Sequence, residues 1–163
     1  EFDASRTGEL IKYAVKNEIT TRTQLVRKDV VASTGMCKIE DAEIICSGGR
    51  GMGCFDKFKH LEELAGLLGA AVAGSRAVVD EGWISHPQQV GQSGKTITPK
   101  VYFAFGISGS IQHIAGMHDS DVIIAINKDP NAPIFKVANY GIVGDVNLVL
   151  PKLIEKVKAF KES

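Results

Sequence analysis

The sequence predicts an α/β domain over residues 35–163, built on a parallel sheet covered by helices on both faces. Three observations carry that prediction. Short apolar runs of strand length alternate with helical or glycine-rich segments, the pattern of repeated β–α units. Four of those runs in succession end in glycine or polar clusters. The chain of 163 residues is 44% hydrophobic and 23% charged, an ordinary globular composition, long enough to bury a core without disulfide or metal staples.

The first 34 residues read differently from the rest. They mix single charges with β-branched residues such as Ile11, Val15, Ile19, Thr20 and Val30. One or two short strands followed by a connecting segment are expected there, the tail of a preceding domain. The chain opens on Glu1 and not on Met, which fits a fragment or a processed product. A polar connection over residues 33–41 leads into the regular part.

From there each element has its own signal. Residues 43–47 form a short apolar strand ending in Gly48-Gly-Arg-Gly-Met-Gly53. Residues 55–69 place Phe58, Leu61, Leu64, Ala65 and Leu68 at helical spacing, with Gly69 as the stop. Residues 70–74 are the next strand, ending at Ser75 and Arg76, and a loop rich in Gly, Pro and Gln runs on to Gly94. Residues 101–105 are a third strand, ending in Gly106-Ile-Ser-Gly-Ser110, and a short helix over about 111–117 follows. Residues 122–126 are a fourth strand, ending in Asn127-Lys-Asp-Pro130. Residues 134–137 and 142–143 are expected to be further short strands. Residues 148–160 are a closing helix, with Pro151 near its start.

Strands joined by right-handed crossovers bring all their C-terminal ends to one edge of the sheet, and ligands bind there. The four clusters at 48–53, 74–76, 106–110 and 127–129 therefore converge on one crevice. Glycine allows close backbone approach, and exposed N–H groups at a helix start receive phosphate. Arg50, inside a glycine loop, and Arg76, at a strand end, are placed to meet an anion. His113, on the first turn after the third strand, is placed to donate to an anionic or carbonyl oxygen.

Other classes are set aside on charge and spacing. Nineteen basic and nineteen acidic side chains leave no cationic excess for a general phosphate-backbone binder, so no nucleic-acid partner is expected. No apolar run approaches the ~20 residues of a membrane span, and no signal peptide is read. Cys37, Cys46 and Cys54 form no metal or redox spacing, and Cys46 reads as a small core residue in a reducing compartment. Gly91-Gln-Ser-Gly-Lys-Thr96 ends like a phosphate loop of nucleotide hydrolases, but its first glycine would fall at Gln89. Gly48-Gly-Arg-Gly-Met-Gly53 lacks the dinucleotide spacing. His86, His113 and His118 lack helical metal spacing. Ser108 sits almost in a nucleophile elbow, but Ser110 stands where that motif needs glycine, so Ser108 is expected to cap the following helix.

Several ordered blocks together resemble the FAD-binding, C-terminal domain of the electron-transfer flavoprotein alpha subunit. They are Val90-Gly-Gln-Ser-Gly-Lys95, Gly106-Ile-Ser-Gly-Ser-Ile-Gln-His-Ile-Ala-Gly-Met117, Ala125-Ile-Asn-Lys-Asp-Pro130, Ala132-Pro-Ile-Phe135 and Tyr140-Gly-Ile-Val-Gly-Asp145. Ser47-Gly-Gly-Arg-Gly51 and Ser75-Arg-Ala-Val-Val-Asp80 fit the same family. The resemblance runs from about Asp41 to the end. It implies a doubly wound, Rossmann-like domain over residues 35–163, with residues 1–34 as the tail of the family's first domain and the joining segment.

The resemblance also implies one bound FAD, a beta-subunit partner in a heterodimer, and an electron carrier in place of a catalyst with its own substrate. Electrons would come from flavin dehydrogenases such as the acyl-CoA dehydrogenases of fatty acid β-oxidation and pass singly to a downstream acceptor. The expected compartment is the prokaryotic cytoplasm or the mitochondrial matrix. Carried over position by position, the cofactor contacts are Arg50, Ser75, Arg76, Val90, Gly91, Gln92, Ser93, Ser108, Gly109, Ser110, Ile111, Gln112, His113, Asn127, Asp145 and Val146. In the family the counterparts of Arg76, Ser93 and His113 lie by the isoalloxazine, those around Ser108 by the pyrophosphate, and those of Asn127 and Asp145 by the adenosine. Ser93 stands where Thr is usual, which keeps the hydroxyl, and Asn139 stands where Asp is common. The residues themselves supply no nucleophile, metal set or paired acid and base, as suits a site whose cofactor carries the redox chemistry. The alternative reading is a non-redox nucleotide-binding or assembly module on the same fold.

Overall fold

In the computed structural model, residues 8–9, 11–13 and 38–162 are described. The chain divides into two compact units, Glu1–Ala32 and Ser33–Ser163, and every element below belongs to the second. The strands expected within residues 1–34 lie largely outside the described residues.

Among the described residues, runs of Ile, Val, Ala and Phe form five strands: β1 Ile44–Gly48, β2 Ala71–Gly74, β3 Val101–Phe105, β4 Val122–Asn127 and β5 Tyr140–Val143. All pair in parallel, in the order β2-β1-β3-β4-β5. This is the doubly wound order 2-1-3-4-5, and it reverses between β1 and β3. β1 and β2 are buried almost throughout, because a parallel sheet carries cover on both faces. β5 is the edge strand on the far side from β2 and is exposed along its length.

One face is covered by two long helices. α1 (Phe58–Leu68) buries Phe58, Leu61, Leu64 and Ala65 at helical spacing, and ends where Gly69 takes the left-handed conformation at φ 64°. α4 (Val146–Glu162) buries Val146, Leu150 and Ile154. These side chains meet Cys46, Val72, Phe105 and Ile126 from the sheet. The other face carries shorter pieces. Val90, Ile97, Ile107, Met117 and Ile134 close over Ile45, Ala73, Tyr102, Ala104 and Ala125.

Three sequence expectations are corrected here. Residues 134–137 are not a strand: Pro133–Lys136 is a turn of 3-10 helix. Pro133 favours a helix start, and the Ile134 N–H donates to the Ser108 carbonyl at 3.0 Å in place of a strand partner. The segment after Ser75 is not loop from the outset, since Arg76–Asp80 forms a short helix, α2. The closing helix starts two residues early because the Asp145 carboxylate accepts from the Asn147 N–H at 2.8 Å. Pro151 then falls in the helix interior.

Candidate functional site

The cleft opens at the C-terminal edge of the sheet, across the point where the strand order reverses. It measures about 720 Å³, within the usual size of a cofactor or small-molecule site. Its walls come from the loops after β1, β2 and β3, from segment 89–93 and from α3 (Ile111–Ile114).

The loops after β1 and β3 meet backbone to backbone. Gly49 N–H donates to the Phe105 carbonyl at 2.9 Å, and Gly51 N–H to the Gly106 carbonyl at 3.0 Å. Gly106 has φ 63°, and a Cβ on it would lie 2.7 Å from Gly51. A Cβ on Gly51 would lie 2.6 Å from the Gly106 Cα. No side chain fits between the two loops, so the floor of the cleft is bare main chain. Arg50 is exposed between these glycines, while Met52 anchors the loop in the core.

Segment 89–93 forms the next wall. Gln89 is buried, and its side-chain amide donates to the Ser93 hydroxyl at 2.9 Å. Val90 N–H donates to the Gly74 carbonyl at 2.9 Å, and Gln92 N–H to the Gln112 carbonyl at 2.8 Å. Those bonds tie the segment to the end of β2 on one side and to α3 on the other.

Arg76 is the first residue of α2. Its side chain is 70% exposed, and its Nε lies 3.4 Å from the Asp80 carboxylate, which also lines the cleft. The cation at this edge thus faces the cleft with an anion beside it. His113 is the opposite case: it is 4% exposed, and burial lowers its pKa to about 4. The Val90 carbonyl opposes that shift without overcoming it, so the ring is neutral at pH 7. Nε2 lies 2.9 Å from the Tyr102 hydroxyl, and Nδ1 is buried with no partner among the described residues.

Of the residues expected at the site, the cleft gathers Arg50, Ser75, Arg76, Val90, Gly91, Gln92, Ser93, Ser108, Gly109, Ser110, Gln112, His113 and Asn127. Ile111, Asp145 and Val146 are outside its lining. Ile111 is 83% exposed beside it. The Asp145 carboxyl is held below the usual carboxylate range by the Asn147 backbone and side-chain amides. Val146, the first residue of α4, is packed in the core. Ser108 is not the cap of α3. That residue is Ser110, whose side chain accepts from the His113 N–H at 3.4 Å, while the Ser108 carbonyl holds Ile134. A serine directly before the first helical residue was the available signal. Asn127 lines the cleft, but its amide braces the loops: Nδ2 donates to the Ile107 carbonyl at 2.9 Å, and Oδ1 accepts from the Asp129 N–H at 3.0 Å. Sequence reasoning missed Gln89 and Asp80 as cleft residues and Tyr102 as the partner of His113.

A doubly wound sheet with a glycine-floored cleft at its switch point defines a nucleotide-cofactor-binding α/β domain. Residues 38–118 match the family described as "Electron transfer flavoprotein FAD-binding domain". The chain is 52% identical over 160 residues to an electron transfer flavoprotein subunit alpha of Thermoanaerobacterium thermosaccharolyticum, covering 98% of this chain and 48% of that protein. It is 54% identical over 164 residues to the subunit of the same name from Megasphaera elsdenii, covering 99% of this chain and 48% of the relative. A mitochondrial alpha subunit from Dictyostelium discoideum is 56% identical over 124 residues, or 76% of this chain and 35% of that protein. The chain belongs to the electron-transfer flavoprotein alpha-subunit family and carries its FAD-binding domain. It spans about half the length of the curated relatives it matches.

Proposed function

We propose that this chain is the FAD-holding part of an electron carrier, which takes electrons from flavin dehydrogenases such as acyl-CoA dehydrogenases and passes them singly to a downstream acceptor. The observation that carries this reading is the cleft itself, a bare-backbone floor with an unpartnered buried histidine nitrogen in its wall. The residues present fit FAD. Main-chain N–H groups at the start of α3 and the hydroxyls of Ser75, Ser108 and Ser110 suit a pyrophosphate, and Arg50 and Arg76 supply positive charge. His113, neutral and unpartnered at Nδ1, suits a carbonyl acceptor. When bound, the flavin supplies the redox chemistry. The chain's own work is to orient it and to set the charge around it.

The reading extends to the parts beyond the cleft. Residues 1–34 are the tail of a preceding domain and the connecting segment, and 35–163 are the FAD-binding domain. A beta subunit completes the carrier as a heterodimer, with the donor and acceptor as transient partners, in the prokaryotic cytoplasm or the mitochondrial matrix. Among the described residues no helix is long and apolar enough to cross a membrane. The test is a titration of the chain with FAD and with riboflavin, followed by flavin fluorescence. FAD should bind far more tightly, because riboflavin lacks the phosphates that the glycine loops receive. Equal binding of the two would show that the glycine clusters serve only as turns.

A further inference from the structure

Tyr102 is a buried titratable group that the cofactor reading leaves unused. It lies on β3, opposite Ile45 of β1, and is fully buried. Burial pushes its phenol well above the ordinary value, so the hydroxyl keeps its proton across the physiological range. The phenol is 2.9 Å from Nε2 of His113, a cleft residue, whereas the buried Ser47 hydroxyl has no hydrogen-bond partner among the described residues.

A neutral imidazole carries one N–H, and its place follows from what each nitrogen meets. Two arrangements satisfy the pair. In the first, Tyr102 donates to Nε2 and the proton sits on Nδ1. In the second, Nε2–H donates to the phenol oxygen, and Nδ1 is a bare lone pair. The fully buried Tyr102 hydroxyl has Nε2 as its hydrogen-bond partner among the described residues, and a buried O–H needs an acceptor. In the second arrangement the phenol proton would have no acceptor and Nδ1 no donor among the described residues. In the first the phenol proton is satisfied, and the one group left over is an Nδ1–H on a residue that lines the cleft.

We propose that Tyr102 is a positioning residue: its hydroxyl donates to Nε2 of His113 and fixes the neutral ring as the Nδ1–H tautomer, so that the ring offers the cofactor a donor and not an acceptor. The role assigned towards the cofactor rests on the FAD reading, whereas the tautomer is a property of the chain itself. Phe58 and the rest of the α1 face are on the opposite side of the sheet and do not enter this arrangement.

The experiment is two-bond proton–nitrogen NMR of the full chain, labelled at histidine, at pH 7 without FAD. His113 is assigned by the resonances lost in His113→Asn. In the wild type, Nδ1 should be protonated and Nε2 bare. Tyr102→Phe keeps the ring and its packing but loses the donor, and His113 should shift to a mixture of tautomers or to the Nε2–H form. Amide spectra report that the fold is retained. In a parallel titration, Tyr102→Phe should raise the Kd for FAD roughly two- to tenfold, the effect of one hydrogen bond. A wild-type His113 protonated on Nε2 overturns the proposal, whether or not the variant folds. So does a folded Tyr102→Phe with an unchanged tautomer. If FAD fails to bind the wild-type chain, the cofactor reading falls and the role towards the cofactor falls with it, while the spectrum still decides the tautomer.

Discussion

Gly116→Ala tests how the two walls of the cleft are joined. Gly116 follows α3, and a Cβ on it would lie 2.4 Å from the Gly91 nitrogen, 2.5 Å from the Gly91 Cα and 3.0 Å from the Lys95 carbonyl. All three are backbone atoms, so no flexible side chain can swing away. Ordinary contact begins near 3.4 Å, which requires segment 90–95 to retreat from α3 by about 1 Å. Such a retreat stretches the Gln92–Gln112 bond from 2.8 Å and the Ile97–Gly116 bond from 2.9 Å towards or past the limit of a hydrogen bond. Overpacking costs about 1–3 kcal/mol, and each weakened backbone bond adds up to about 1 kcal/mol. The lower backbone entropy of alanine in the unfolded chain returns under about 1 kcal/mol. A net loss of about 2–4 kcal/mol is expected from these terms, or roughly 5–15 °C in Tm for a domain of this size. FAD should bind about tenfold more weakly, the worth of one good hydrogen bond. Gly66→Ala is the control: Gly66 lies in α1 with nothing within 4 Å of a new Cβ. That substitution should stabilise by about 0.5–1 kcal/mol. Urea unfolding and FAD titration read both variants. A Gly116→Ala protein within ~0.5 kcal/mol of wild type, binding FAD normally, would refute the argument that the walls are held by this close approach.

The remaining predictions concern charge. The pKa of His113 is about 4 in the folded chain against 6.5 for the free side chain, so the unfolded chain binds more protons between those values. Stability is therefore full above about pH 6.5 and falls as the pH drops towards 4, by up to about 3 kcal/mol. His113→Asn should remove that part of the slope in a series of urea titrations, and an unchanged slope would mean that the ring is not buried as a neutral group. Asp80→Asn removes the carboxylate 3.4 Å from the Arg76 Nε. Because the pair is exposed, its effect is screened to under about 1 kcal/mol. FAD should then bind up to about fivefold more tightly at low salt, whereas Arg76→Ala, which leaves Asp80 alone in the cleft, should weaken it. Weaker binding by Asp80→Asn would show that the carboxylate holds the guanidinium in its useful place.

The strands were legible because each is a short apolar run closed by glycine or a polar cluster. β3 matches its sequence expectation end to end, and β1, β2 and β4 do so within a residue or two. The elements that were missed are those held by contacts distant in sequence. Nothing local in Ala132-Pro-Ile-Phe135 says that Ile134 will be pinned beneath the loop at Ser108. α2 has five residues, too few to show a period. In the site, most of the expected residues converge because the parallel topology alone brings the strand ends together. Asp145 departs for a local reason: its carboxylate is engaged as the cap of α4. Tyr102 was hidden by its strand, where an aromatic residue at a buried position reads as core until its hydroxyl is found facing His113.

The charge inventory of the cleft explains why its floor must be glycine. Arg50 and Arg76 face the cleft with Asp80, and His113 is neutral there, so few full charges are available to an anionic ligand. A site built on lysines would gather phosphate through point charges that water and salt screen. This one relies on oriented N–H groups and hydroxyls, which act only at hydrogen-bond distance and so need the main chain to come close. The mutual approach of Gly51 and Gly106, whose main chains bond each other, keeps the floor free of side chains so that a ligand can come close. It fits a chain whose basic and acidic residues are equal in number: recognition is local to the cleft and does not draw on a net charge of this chain.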